Sequence, residues 1–295
     1  MNPALLLLPC LAAGPAPVPD IHTPPGFTTY LYADQPLAND IYTMTIDDDG
    51  RVLVAGRGYV RVLVDDDGDG RADRAVDLID GLKDGPMGLL AEGDSLYVVS
   101  DGGLKRYRGY NGKDKLRGPP ETILALKTTG EHDAHAVRRG PDGWLYLLCG
   151  NMTGINPGKI TSPRSPVKDP IAGTLVRISP DGKEVEVVAD GFRNAYGFDF
   201  HPDGEAFTFD SDNERCVGLP WYEGCRFYHV VPGGNYGWRA PQLSQTWRKP
   251  PYFADVVPPI ADLGRGSPTG VACYRHTQFP AHYRGGFFLA DWTFG

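Results

Sequence analysis

Two short loops carry the residues best equipped for chemistry. His132 and His135 stand three apart in GEHDAHAVRRGPDG, and Arg193 stands in GFRNAYGFDFHPDG. An imidazole titrates near working pH, so His132 is a candidate general base. The pair also suits zinc, but no third ligand follows at metal spacing, and a loop histidine hydrogen-bonded for structure is the plainer alternative. Arg193 keeps its proton at any working pH and suits holding or polarising an anionic group, with a salt bridge as the alternative. A third candidate is Asp65-Asp66-Asp67-Gly68-Asp69-Gly70, followed by Asp73. Alternating carboxylates with a turn-permitting glycine match the first half of a calcium loop, which makes Asp65, Asp67, Asp69 and Asp73 candidate ligands. The twelfth position is Val76 where a bidentate Glu belongs, so an acidic, solvated hairpin tip is the competing reading. GxSxG, P-loop and complete GxGxxG motifs are all absent, which leaves serine-nucleophile and nucleotide chemistry without support.

The elements that must hold these loops are strands. Helical periodicity is nearly absent, and an acidic-Gly turn followed by a β-type run recurs: DDDG-RVLVA, AEGD-SLYVVS, GPDG-WLYLLCG and HPDG-EAFTFDSD. Glycine accepts positive φ without a Cβ clash, so each of these reads as a hairpin. The glycines fall at 50, 93, 143 and 204, spaced 43, 50 and 61 residues apart, a period typical of propeller blades. GTLVRISPDGKEVEVVADG (173–191) reads as another hairpin, and GGLKRYRGY (102–110) as the strand after SLYVVS. The expectation is an all-β propeller over residues 20–295 with four blades and part of a fifth, a β-sandwich being the alternative. GGFFLADWTFG stops just after a strand, so the propeller is expected to be incomplete at its C-terminal side.

Twenty-nine Lys and Arg against 37 Asp and Glu give a net charge of −8. That argues against nucleic acid or an anionic membrane face as a partner. No run of 18 apolar residues exists, which predicts no membrane span, and 41% apolar content is enough to fill a sizeable core. Residues 1–19 read as a signal peptide or a disordered N-terminus, with Ala12-Ala13-Gly14 offering cleavage, and export to the periplasm or cell envelope is expected. Cys10 faintly matches a lipid-attachment site. Cys216 and Cys225 flank GLPWYEG and either bridge in an exported chain or stay as two thiols. Cys149 reads as a buried small hydrophobe.

GEHDAHAVRRGPDGWLYLLCGN, GFRNAYGFDFHPDG and PGGNYGW resemble, in order, three signature segments of the soluble glucose/sorbosone dehydrogenases, which use pyrroloquinoline quinone (PQQ) and calcium. DSDNERCVGLPWY, GRGSPTGVACYRHTQFP and FLADWTFG are similar to a bacterial branch of membrane-bound dehydrogenases whose propeller precedes a cytochrome c segment. The resemblance implies a six-bladed propeller that oxidises a sugar or polyol by hydride transfer to PQQ, with electrons passing to a haem partner. By the same likeness His132 matches the catalytic base, Arg193 the quinone-contacting arginine, and Asn194 the cofactor-site residue after it. Pro86 stands where the glucose enzymes have a glutamine, and Thr293 near the position of a quinone-gripping lysine. Two other functions stay open: a non-catalytic glycan- or protein-binding propeller, and a calcium-dependent lactonase-type hydrolase.

Overall fold

The computed structural model describes residues 21–292 except residue 113 and residues 241–246. Four antiparallel meanders of four strands follow one another along the chain. The first holds β1 (Ile41–Ile46), β2 (Val52–Gly56), β3 (Tyr59–Val64) and β4 (Arg74–Asp80). The second holds β5 (Gly88–Glu92), β6 (Ser95–Ser100), β7 (Gly103–Arg108) and β8 (Arg117–Ala125). The third holds β9 (Ala134–Arg139), β10 (Leu145–Cys149), β11 (Gly173–Ile178) and β12 (Val185–Phe192). The fourth holds β13 (Phe198–Phe200), β14 (Ala206–Asp210), β15 (Cys225–Val230) and β16 (Ala261–Gly264). A two-stranded sheet follows, β17 (Pro268–Cys273) with β18 (Phe287–Asp291). Among the described residues the fold is therefore a β-propeller of four four-stranded blades and a further two-stranded sheet, as the turn spacing predicted.

Each recurring acidic-Gly turn is the first hairpin of a blade. Gly50, Gly93, Gly143 and Gly204 have φ of 84°, 51°, 78° and 98°, a region that side chains with a Cβ rarely occupy. First strands face one another around the axis: β1 packs on β5, β5 on β9, and β13 on β17. Second strands are sandwiched between neighbouring blades, which explains why LYLLC of β10 is apolar throughout and buried at every position. The core accordingly lies between blade faces. Val99 and Leu104 meet Leu147 and Val176, while Leu148 and Leu175 meet Phe198 and Tyr228.

Outermost strands should be half exposed, and β4 is. β12 is instead buried along its whole length. Val167 bridges to Val187 on one side, and Asn235 bridges to Asp190. The second of these contacts brings the 232–238 segment against the end of β12, beside Arg193.

Cys216 and Cys225 are buried free thiols in this structure, the second of the two readings of that pair. Each sulfur has hydrogen-bonding work: Asn213 Nδ2 donates to Cys216 Sγ at 3.1 Å, and the Asp212 N–H donates to Cys225 Sγ at 3.2 Å. Burial pushes the Cys225 thiol up to about 12. Cys149 is fully buried, as expected. Residues 1–19, read as a signal peptide or a disordered N-terminus, Cys10 among them, and Thr293 lie outside the described residues. Among the described residues no helix is long and apolar enough to cross a membrane.

Candidate active site

His132 sits in the turn that enters β9 and is 4% exposed. Its loop is stitched to the residues leaving β10: the Gly150 N–H donates to Asp133 O at 2.7 Å and the Met152 N–H to His132 O at 3.0 Å. Asn151 then decides the state of the imidazole. Its Nδ2 donates to Ala240 O at 2.9 Å, which fixes the amide orientation, because only the NH₂ end can face a carbonyl. Its Oδ1 therefore faces His132 Nδ1 at 2.6 Å and must accept from an N–H there. The neutral ring consequently carries its proton on Nδ1 and leaves Nε2 as a lone pair. Nε2 has no hydrogen-bond partner among the described residues. Burial lowers the pKa of His132; Asn151, Glu131 and Glu214 pull it up, and Arg193 pushes it down. The net direction is downward, so the ring is neutral at pH 7 and able to accept a proton.

Arg193 directly follows β12, and its carbonyl accepts the Asn151 N–H at 2.8 Å. The two sequence candidates, His132 and Arg193, are thus brought together through one residue. The buried guanidinium donates to Ser211 Oγ at 2.9 Å and pairs with Glu214 at 2.8 Å. It also lies 5.6 Å from the centre of the Trp238 ring, a cation–π arrangement. Trp238 Nε1 donates to Ala240 O at 2.7 Å, so one carbonyl holds both Trp238 and Asn151.

Asn194 is 3% exposed. Asp210, fully buried at the end of β14, accepts the Arg193 and Asn194 backbone N–H groups at 2.9 and 2.8 Å. Arg248 Nη2 compensates its charge at 3.1 Å. The Asn194 Oδ1 atom is buried without a hydrogen-bond partner. A Cβ on Gly150 would stand 2.6 Å from it and would also collide with His132 O, so only glycine fits between these two residues.

The other candidates lie elsewhere. Both ring nitrogens of His135 face carbonyls, Ala195 O at 3.0 Å and Glu131 O at 2.9 Å, and the ring stacks on Tyr196. His135 thus has its own structural post, and the zinc-pair reading is not what the geometry builds. Asp65, Asp67 and Asp73 converge to within 4.8 Å at the β3–β4 turn. Asp69 does not join them, a correction to the four-ligand expectation; its Oδ1 accepts the Arg71 N–H at 2.8 Å. Pro86 is buried just before β5 and offers no polar group where a glutamine amide was sought.

Sequence reading missed Asn151, Asp210, Ser211, Glu214 and Trp238. All lie in or beside the segments that resembled the dehydrogenases, and that proximity was the only signal for them.

Residues 17–293 match the family described as a domain of unknown function, DUF7133. Among solved structures, an oxidoreductase described as a glucose dehydrogenase from Thermus thermophilus superposes with a TM-score of 0.59 at 20% identity, over 85% of this chain and 76% of that one. The PQQ-bound aldose sugar dehydrogenase of Streptomyces coelicolor superposes with a TM-score of 0.56 at 19% identity, over 80% of this chain and 72% of its own. At these identities the likeness establishes the propeller fold. A polyribonucleotide nucleotidyltransferase of Natranaerobius thermophilus is 32% identical over 142 residues, 44% of this chain, and the match spans 19% of that protein's length.

Proposed function

This chain belongs to the family described as a domain of unknown function, DUF7133, and from its site we propose a propeller that oxidises a sugar or polyol with a quinone as hydride acceptor. One observation carries the reading. The Asn151 amide, fixed by Ala240 O, forces the His132 proton onto Nδ1 and leaves Nε2 as a bare base near the Arg193 cation. An alcohol carbon gives up hydride readily only as its hydroxyl proton leaves, and Nε2 is the atom to receive that proton. Asn151 keeps hold of Nδ1 throughout, so the ring does not turn as it becomes charged. Glu131 and Glu214 favour the resulting imidazolium, and Arg193 opposes it, which returns the proton readily.

PQQ, when bound, supplies a two-electron acceptor. The residues present fit such a group: Asn194 has a buried acceptor with no partner, and Arg193 supplies a fixed cation. Both would hold it, while Pro86 and its neighbours would contribute only shape. The same reading has the protein exported to the periplasm or cell envelope and passing electrons to a cytochrome c partner. The test is dye reduction by the full-length protein loaded with quinone and calcium, across aldoses and polyols. Activity that disappears in His132→Ala is expected; unchanged turnover removes His132 from the mechanism.

A second reading, a non-catalytic binding propeller, draws on the Arg193–Glu214 pair, which already neutralises the cation that an anionic cofactor would seek. Quinone titration separates the two, since saturable binding excludes the second.

A further inference from the structure

A groove of about 480 Å³ opens beside the site, within the size range of ligand clefts. Its sides carry Trp221, Trp247 and Tyr252, which are 66%, 61% and 81% exposed. Three large rings turned to solvent around one hollow are unusual for a soluble surface and mark a binding surface. The floor is polar. Arg248 is 9% exposed at its side chain and bonds Asp210 at 3.1 Å; Glu223 pairs with Arg226 at 2.6 Å and lies 3.9 Å from Arg248. These charges are held in place before any ligand arrives. Trp247 and Arg248 are anchored to described backbone: the Arg239 N–H donates to Trp247 O at 3.0 Å, and Trp238 bridges to Arg248.

We propose that this groove is a carbohydrate subsite, receiving the units of an oligosaccharide beyond the one that reaches His132. Aromatic sides with a charged, hydrogen-bonding floor match a pyranose, whose C–H faces lie flat on rings while its equatorial hydroxyls point outward. A lipid chain would leave the ion-paired floor desolvated without hydrogen bonds, which is costly. A polyanion is disfavoured by the net charge of −8. The groove is also wired to the candidate active site. Asn213 and Cys216, on its wall, flank Glu214, the partner of Arg193, and Arg248 holds the same Asp210 that fixes the Arg193 and Asn194 backbone. The proposal extends the sugar-oxidising reading of that site and rests on it only for the identity of the terminal unit.

The experiment is calorimetric titration of the full chain with a panel of neutral oligosaccharides of one to six units, without quinone. Affinity should rise about tenfold or more from one unit to four. Trp221→Ala and Trp247→Ala should each lower tetrasaccharide affinity about tenfold while changing monosaccharide oxidation less than about twofold. Should a tryptophan variant fail to fold, protection of tryptophan fluorescence from acrylamide quenching by the tetrasaccharide gives the same readout on the parent protein. Affinity independent of chain length, binding by no member of the panel, or tryptophan variants that bind normally would overturn the subsite. Length-dependent binding without dye reduction by any sugar would leave the subsite standing and remove the oxidation reading.

Discussion

Replacing Asn151 with leucine removes its amide and keeps its volume, which isolates the amide's role in setting the imidazole. Two hydrogen bonds disappear, the 2.9 Å bond to Ala240 O and the 2.6 Å bond from His132 Nδ1. Ala240 O keeps its 2.7 Å bond from Trp238 Nε1 and is not orphaned. His132 Nδ1–H, in a residue only 4% exposed, is left without a partner. A buried unsatisfied donor costs about 1–3 kcal/mol. At roughly 2–4 °C per kcal/mol for a domain of this size, Tm should fall by about 2–12 °C. The proton is then free to move to Nε2, the wrong nitrogen for a base, and turnover should fall by about 10²-fold. Nitrogen-15 shifts of the histidine ring read the tautomer without any cofactor. The parent should show a protonated Nδ1 and a bare Nε2 at pH 7, and Asn151→Leu a mixture. A parent protonated at Nε2, or a variant with unchanged shifts and Tm, would refute the argument.

Acid should weaken the fold. Burial pushes His135 down to about 4, whereas the unfolded chain takes up that proton near 6.5. Between these values the unfolded state binds the extra proton, so stability falls as pH drops, by about 1.5 kcal/mol from pH 6.5 to pH 5. Urea denaturation at the two pH values measures it, and His135→Gln should flatten the difference. Gly150→Ala places a methyl against His132 O and Asn194 Oδ1, and dye reduction should drop far more than Tm does. Glu214→Gln removes a charge that supports protonated His132, so the His132 titration followed by NMR should move to lower pH. The same variant loses the 2.8 Å pair to Arg193, and quinone affinity should rise if an anionic group competes with that carboxylate.

The blade hairpins could be read from sequence because their cause is local: one glycine at positive φ between two apolar runs. His132 and Arg193 were found for a related reason, since both precede the turn and strand of a blade and so share an end of the structure. Asn151 could not be found this way. Its meaning lies in Ala240, 89 residues later, and no spacing rule reaches that far. The exclusion of Asp69 from the carboxylate cluster was not legible either, since the D-x-D-x-D pattern does not fix which carboxylates the turn brings together. Burial of all of β12 was likewise hidden, because the segments that cover it are irregular loops with no periodic signature.

The shared Ala240 carbonyl has a consequence for assembly. His132, Asn151, Arg193 and Ala240 come from four separate loops, and the last arrives after most of blade four has been threaded into place. Contacts so distant along the chain form slowly and late. A nascent chain with only its early blades folded therefore owns the imidazole without a fixed home for its proton. Chemical readiness appears only when Ala240 docks, so the base becomes competent no earlier than the third strand of the fourth blade.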